Sequence, residues 1–255
     1  LFAIGSERYT PFQRVKQPAE LLTLANRILG TGQLSLAKYL FITAEDGQAL
    51  DTNDVEQFLT YIFQRIDLRR DLHFQTNTTI DTLDYTGTGL NSGSKVIFAA
   101  YGEVKRELCT EVPEVFQNIR GLDGARLIMP GVVAVKGEPF ENYSKEQGRV
   151  QEWCEALHEQ GSLSSSPLII LCDDPDFISA SLRNFLWVTF TRSNPSHDMY
   201  GVNSFYEHKH WGCDQVIIDA RIKPHHAPPL VSDPAVEKRI ERLFAKGASL
   251  EGIRI

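Results

Sequence analysis

What most constrains this chain is that apolar runs and helical stripes alternate along it, in two successive series. Short apolar runs bounded by turn residues read as strands, and apolar residues spaced three and four apart read as helices. Their alternation predicts βαβ units and a largely parallel sheet. Leu1-Phe2-Ala3-Ile4 opens the first series as a strand. A helix over Pro18 to Leu29 then carries Leu21, Leu22, Ala25, Ile28 and Leu29 on one stripe, with Pro18 in its first turn and Gly30 and Gly32 ending it. Tyr39-Leu40-Phe41-Ile42 is a buried strand stopping at Glu45-Asp46-Gly47. Asn53 or Asp51 caps the next helix, which runs to about Arg65 on a stripe of Val55, Phe58, Leu59, Ile62 and Phe63. Val96 to Ala100 is a further strand, after the glycine-rich loop Gly87 to Gly93.

The second series repeats this programme. Val132-Val133-Ala134-Val135 echoes the opening strand, and Leu168-Ile169-Ile170-Leu171-Cys172-Asp173-Asp174 echoes Tyr39 to Glu45. Phe58-Leu59-Thr60-Tyr61-Ile62-Phe63-Gln64-Arg65 matches Phe185-Leu186-Trp187-Val188-Thr189-Phe190-Thr191-Arg192, and Asp71 and Asp198 keep the offset of the two arginines. Apolar pattern alone would repeat in any two strand–helix units, but it does not explain an Arg followed six residues later by an Asp in both. The expected fold is α/β, with mainly parallel sheets and flanking helices, in two similar halves: residues 1–125, residues 126–230 and a C-terminal helix and tail over 231–255.

Composition narrows function by exclusion. The net charge of −7 is carried by 26 Lys and Arg against 33 Asp and Glu, and the basic residues form no stripe for nucleic acid. Cys109, Cys154, Cys172 and Cys213 lie far apart without C-x-x-C spacing, which suits a reducing cytoplasm better than a disulfide framework. No run approaches the roughly 20 apolar residues that span a bilayer. The strand-like start, without an initiator Met, reads as part of a longer protein.

The two helix exits carry a family resemblance. Thr191-Arg192-Ser193-Asn194-Pro195-Ser196-His197-Asp198, and less fully Arg65-Ile66-Asp67-Leu68-Arg69-Arg70-Asp71, which lacks the proline, resemble the helix-exit pattern of UbiD decarboxylases. Asp81-Thr82-Leu83-Asp84 with Gly93-Ser94-Lys95, and Ile218-Asp219-Ala220-Arg221-Ile222-Lys223-Pro224, are similar to two further stretches of that family. The resemblance implies a three-part carboxy-lyase acting on an aromatic or α,β-unsaturated acid. Its upstream split-barrel domain binds prenylated FMN with a divalent metal and supplies the catalytic Glu-Arg-Glu set, and a flavin prenyltransferase supplies the cofactor. This chain then corresponds to the C-terminal domain used for homo-oligomer contacts, with no catalytic residue, metal or cofactor of its own, and inactive alone.

Within that frame Lys223, after a strand over Val216 to Ala220, is where a cation could reach a flavin phosphate at the carboxyl edge of a sheet, and Lys95 competes for the role as its first-half equivalent. The pairs Arg65/Asp71 and Arg192/Asp198 read as fold-defining ion pairs at helix exits. Glu45-Asp46 and Asp173-Asp174 with Asp176 serve as loop caps more readily than as metal ligands. His208, His210 and Cys213, with His225 and His226, have ligand chemistry, and His208 and His210 would share one face of a strand. The loop ending Gly93-Ser94-Lys95 leads into a strand, against the P-loop order. That leaves two rivals: a nucleotide- or phosphate-binding α/β module, and a purely structural assembly domain. A last helix over Asp233 to Ala248, set off by Pro224, Pro228 and Pro229, carries Val236, Ile240, Leu243 and Phe244 on one stripe and is expected to extend to a neighbouring subunit.

Overall fold

The computed structural model describes residues 1–9, 14–47, 49–161, 164–228 and 231–253; Pro229 lies outside them. In chain order the first unit comprises β1 (Phe2–Gly5), α1 (Ala19–Leu29), β2 (Tyr39–Ala44), α2 (Val55–Arg65), β3 (Leu72–Thr78) and β4 (Gly93–Ala100). Its four strands lie in the order β1-β2-β4-β3, the first three parallel and β3 antiparallel at the edge. The second unit comprises β5 (Leu122–Met129), β6 (Val132–Gly137), α3 (Tyr143–Glu159), β7 (Leu168–Cys172), α4 (Pro175–Ser179), α5 (Leu182–Thr191), α6 (Pro195–Asp198), β8 (Met199–Val202), β9 (Phe205–Glu207), β10 (His210–Gly212) and β11 (Gln215–Asp219). Its five-stranded sheet is ordered β5-β6-β7-β11-β8, with a parallel centre β6-β7-β11 and antiparallel strands at both edges. The helix α7 (Pro234–Phe244) follows.

The period-2 alternation of the strands decides the layering. Tyr39, Phe41, Val96 and Phe98 of the first sheet and Val132, Ala134, Leu168, Ile170, Val216 and Ile218 of the second all face one shared core, in which α2 and α5 bury Phe58, Ile62, Phe185 and Val188. The intervening residues face outward. Leu40, Ile42, Ile97 and Ala99 pack under α1, and Val133, Val135, Ile169, Leu171 and Ile217 pack under α3. Strands covered on both faces need continuous apolar runs, which is what β2 and β7 have.

Local chemistry differs from expectation at several ends. The cap of α2 is Asp54, whose carboxylate accepts the Gln57 N–H at 3.1 Å, while Asp51 turns back onto the Asn53 N–H. Asn142, Asp174, Ser181 and Asp233 cap α3, α4, α5 and α7 in the same way. His208 does not lie in a strand with His210: His208 and Lys209 take φ of 48° and 69° in the turn joining β9 to β10. A two-residue turn of that hand matches the twist of the flanking strands. Strands β3, β5 and β8 are mixed or short in apolar pattern, and no periodicity announces them.

Candidate functional site

The seam where the amino end of the first sheet meets the carboxyl end of the second holds most of the buried charge. Lys38, just before β2, places its ammonium 2.7 Å from Asp84 and donates to the Thr86 hydroxyl and the Ser193 carbonyl, each at 2.8 Å. Burial lowers the Lys38 pKa, and Asp84 opposes that shift. The Tyr39 hydroxyl meets Ser193 Oγ at 2.7 Å, and Ser94 donates to Asn194 Oδ1 at 2.5 Å. The bonds of Lys38, Tyr39 and Ser94 to Ser193 and Asn194 join residues a hundred or more positions apart, so they fix how the two sheets sit against one another.

Behind the seam, at the end of β11, Arg221 is fully buried. It is bidentate to Asp219, at 2.9 and 2.6 Å, and donates to Glu146 Oε2 at 2.8 Å and to the Glu138 carbonyl at 2.6 Å. Burial alone would raise the Asp219 pKa; the bonds from Arg221 and the charges of Lys223 and Arg221 hold it below the usual carboxylate range. Lys223 is 1% exposed. Its ammonium donates to the Asp219 and Arg192 carbonyls at 2.8 and 3.1 Å and stands 3.3 Å from Asp198. Desolvation pushes the Asp198 carboxyl up to about 6, against the pull of Lys223.

Lys223 and Lys95 do not occupy equivalent points. Lys95 lies near the amino end of β4, whereas Lys223 follows the carboxyl end of β11. Lys95 is 2% exposed and donates to the Ser35 carbonyl at 2.7 Å and to the Thr79 carbonyl. Both ammonium groups are committed to backbone carbonyls inside the fold, so neither fits a flavin phosphate without breaking those bonds. Flavin chemistry therefore finds no support in these two residues.

The helix-exit carboxylates do accept backbone N–H bonds, Asp71 from Asp67 at 2.8 Å and Asp198 from Asn194 at 2.6 Å. Their ionic partners are not the expected arginines. Asp71 pairs with Arg70 at 2.5 Å and Asp198 with Lys223. Arg65 instead stacks on the Tyr61 ring at 3.6 Å, and Arg192 reaches Asp173 at 3.5 Å. In both exits the six-residue spacing between Arg and Asp turns each side chain toward a different neighbour.

Asp46 pairs with Lys16, Asp174 caps α4 and Asp176 pairs with Arg126. His210 bonds the Arg69 carbonyl at 3.1 Å, and burial raises the Cys213 pKa strongly. No three His, Cys, Asp or Glu residues converge on a possible metal site among the described residues. In the loop before β4 the Thr88 N–H bonds the Ser92 carbonyl at 2.8 Å; a Cβ on Gly87 would lie 2.1 Å from that oxygen, so the loop is closed on itself.

Beside the Lys38–Asp84 pair the seam opens into a cleft of about 770 Å³. Leu83 and Tyr85 line one side, Trp187 and Arg192 of the α5 end another, and Ile222 and His226 a third. Two of the walls are tied down by hydrogen bonds. The Leu83 N–H bonds Asp81 at 2.8 Å and Asp84 is held by Lys38; the Ile222 N–H bonds Asp173 at 2.8 Å; His226 N–H bonds the Lys223 carbonyl at 2.9 Å. No local spacing announces that Trp187, Tyr85 and His226 meet, because their meeting depends on the packing of the two sheets.

These features define a two-sheet α/β domain with a charged, buried seam and a preformed cleft. Residues 1–100 match the family described as 3-octaprenyl-4-hydroxybenzoate carboxy-lyase C-terminal domain, so the chain is similar to the UbiD carboxy-lyases through that segment. It is 35% identical over 224 residues to a 4-hydroxybenzoate decarboxylase component of Chlamydia pneumoniae, covering 87% of this chain and 35% of that protein. An uncharacterized protein of Chlamydia trachomatis serovar D is 33% identical over 241 residues, or 93% of this chain and 37% of that one. The chain thus spans little more than a third of the length of these relatives. Vanillic acid decarboxylase of Sedimentibacter hydroxybenzoicus in open form superposes with a TM-score of only 0.33 and 15% identity over 66% of this chain and 44% of that one.

Proposed function

We propose that this chain is the C-terminal, supporting portion of a UbiD-type decarboxylase that releases CO2 from an aromatic or α,β-unsaturated acid, and that it is inactive alone. The observation that carries this reading is the family match over residues 1–100, seconded by the similarity to the 4-hydroxybenzoate decarboxylase component of Chlamydia pneumoniae. In this reading prenylated FMN and its divalent metal belong to an upstream domain of the longer protein, which supplies the acid–base residues. A flavin prenyltransferase delivers the cofactor in the cytoplasm. Lys95 and Lys223 serve structure, since their ammonium groups are buried against carbonyls.

The two units, residues 1–125 and 126–230, are read as a duplication. Support comes from the matching sheet orders, β1-β2-β4-β3 and β6-β7-β11-β8, and from the same backbone-accepting Asp at both helix exits. The tail over 231–255 is assigned to homo-oligomer contact, because Val236, Ile240 and Leu243 of α7 are 38–44% exposed.

The test compares this chain with the longer protein co-expressed with a flavin prenyltransferase, by flavin absorbance and CO2 release. Colour and turnover in the longer protein alone support the division of labour; flavin binding or turnover by the 255-residue chain refutes it.

A further inference from the structure

We propose that the outer edge of β1 is a strand-addition site whose occupant is the segment immediately preceding Leu1 in the longer protein, folded back antiparallel on β1 as a hairpin. The inference rests on the duplication proposed above and not on the carboxy-lyase reading.

The second unit supplies the template. Its β6 is the counterpart of β1, and β5 lies antiparallel along it, with Leu122 opposite Gly137 and Met129 opposite Val132. The turn between them passes through Gly131, at φ of 80°. Side chains of β5 close both faces of the sheet end: Met129 is buried in the shared core, and Leu122 in the layer under α3 with Leu127 beside it. Under that cover Val132, Val133, Ala134 and Val135 are at most 1% exposed.

Strand β1 ends its sheet, and among the described residues no strand pairs with its other edge. The Leu1 nitrogen donates to the Tyr39 carbonyl and the Leu1 carbonyl accepts the Phe41 N–H, each at 2.9 Å. Backbone groups alternate in direction along a strand, so Ala3 and Gly5 also face β2, and the N–H and C=O of Phe2 and Ile4 point outward. Leu1 and Ile4 are 42% and 38% exposed, whereas the equivalent run in β6 is covered.

An apolar pocket lies on each face of this edge. On the core face Phe2, Leu186 and Phe190 line one of about 300 Å³; on the α1 face Leu24, Ile28 and Leu34 line one of about 280 Å³. Open backbone groups with an apolar pocket above and below suit an extended strand whose alternate side chains enter the two pockets. The added strand is therefore apolar on both faces, as β2 and β7 are. The β1 of a second copy fits less well. Paired antiparallel in one continuous sheet, it would present only Ala3 and Gly5 to the pocket on the α1 face, and these are too small to fill it.

The test extends the 255-residue chain ahead of Leu1 by a stretch of the longer protein as long as β5 and its turn. Amide hydrogen exchange by NMR then compares Phe2 and Ile4 in the two chains, with the β6 amides as internal reference. The extension is expected to slow Phe2 and Ile4 by roughly tenfold or more, with Hα–Hα contacts to β1 that mark antiparallel pairing. Where the extended chain is insoluble, exchange at the β1 peptide of the longer protein, read by mass spectrometry, decides the matter. Unchanged exchange at Phe2 and Ile4 beside slow β6 amides overturns the strand addition and leaves the duplication standing; fast β6 amides remove the template and the duplication with it. Slowing in the 255-residue chain that grows with protein concentration means that a second copy takes the edge, which also overturns the proposal. Flavin and turnover do not enter the readout, so a failure of the carboxy-lyase reading shows separately.

Discussion

The Arg221 guanidinium is the most deeply committed charge in the molecule, with Asp219 and Glu146 both fully buried against it. A buried ion network gains little over apolar packing, yet removing one partner leaves the others desolvated and unpaired. Arg221→Met should therefore destabilise the chain by about 3–5 kcal/mol, read as a shift of the urea midpoint at constant slope. A change below about 1 kcal/mol would show that water reaches Asp219 and Glu146. His73, on β3 beside His210, offers a second test. Burial, then the charges of His210 and Arg70, depress its pKa to about 4. The unfolded chain thus binds the proton more readily, and the stability His73 contributes, complete above its ordinary value near 6.5, is lost as pH falls through about 4. His73→Gln should flatten the decline of the urea midpoint between about pH 6.5 and 4, and the wild-type His73 ring should stay neutral by NMR until near pH 4.

Among elements, α7 stands apart: every described residue on it is exposed or partly so, including an apolar stripe that touches no sheet core. Substituting Ile240→Asp should change monomer stability by less than about 0.5 kcal/mol, as exposed sites do. The same change should shift the elution of the chain toward smaller size in gel filtration if α7 joins subunits as proposed; unchanged size with a large loss of stability would mean it packs on its own fold. The elements also show what a sequence can disclose. Buried strands β2 and β7 and stripes such as Phe58, Leu59 and Ile62 announce themselves, because burial on both faces or on one helical face leaves a periodic trace. The strand β3 leaves none. Its residues Gln75, Asn77 and Thr78 face partly outward at a sheet edge, where polar side chains are tolerated. The turn at His208 and Lys209 misled for a related reason, since neither residue is a usual turn former. The cleft was illegible altogether, being assembled from residues 83–85, 187–192 and 222–226, which only the packing of two sheets brings together.

At the scale of the whole molecule the question is whether two units with similar strand order are two domains. The core argues for one. Phe41, Phe58, Phe63 and Phe98 of the first unit and Ile170, Phe185, Val216 and Ile218 of the second are all within 2% of complete burial and belong to a single apolar cluster between the sheets. Gly212 of β10 packs so closely on the first unit that a Cβ there would lie 2.7 Å from the Arg69 carbonyl. Splitting the units would expose one whole face of each sheet, and with each buried aromatic side chain worth about 1.5–3 kcal/mol, four of them approach the net stability of an ordinary domain. A fragment of residues 1–125 should therefore lack a dispersed NMR spectrum and a cooperative thermal transition, while the full chain melts in one transition by circular dichroism and Trp fluorescence alike. If the fragment folds and melts cooperatively, the shared core is an interface between two self-sufficient domains, and the buried bond from Lys38 to the Ser193 carbonyl acts as a latch between them.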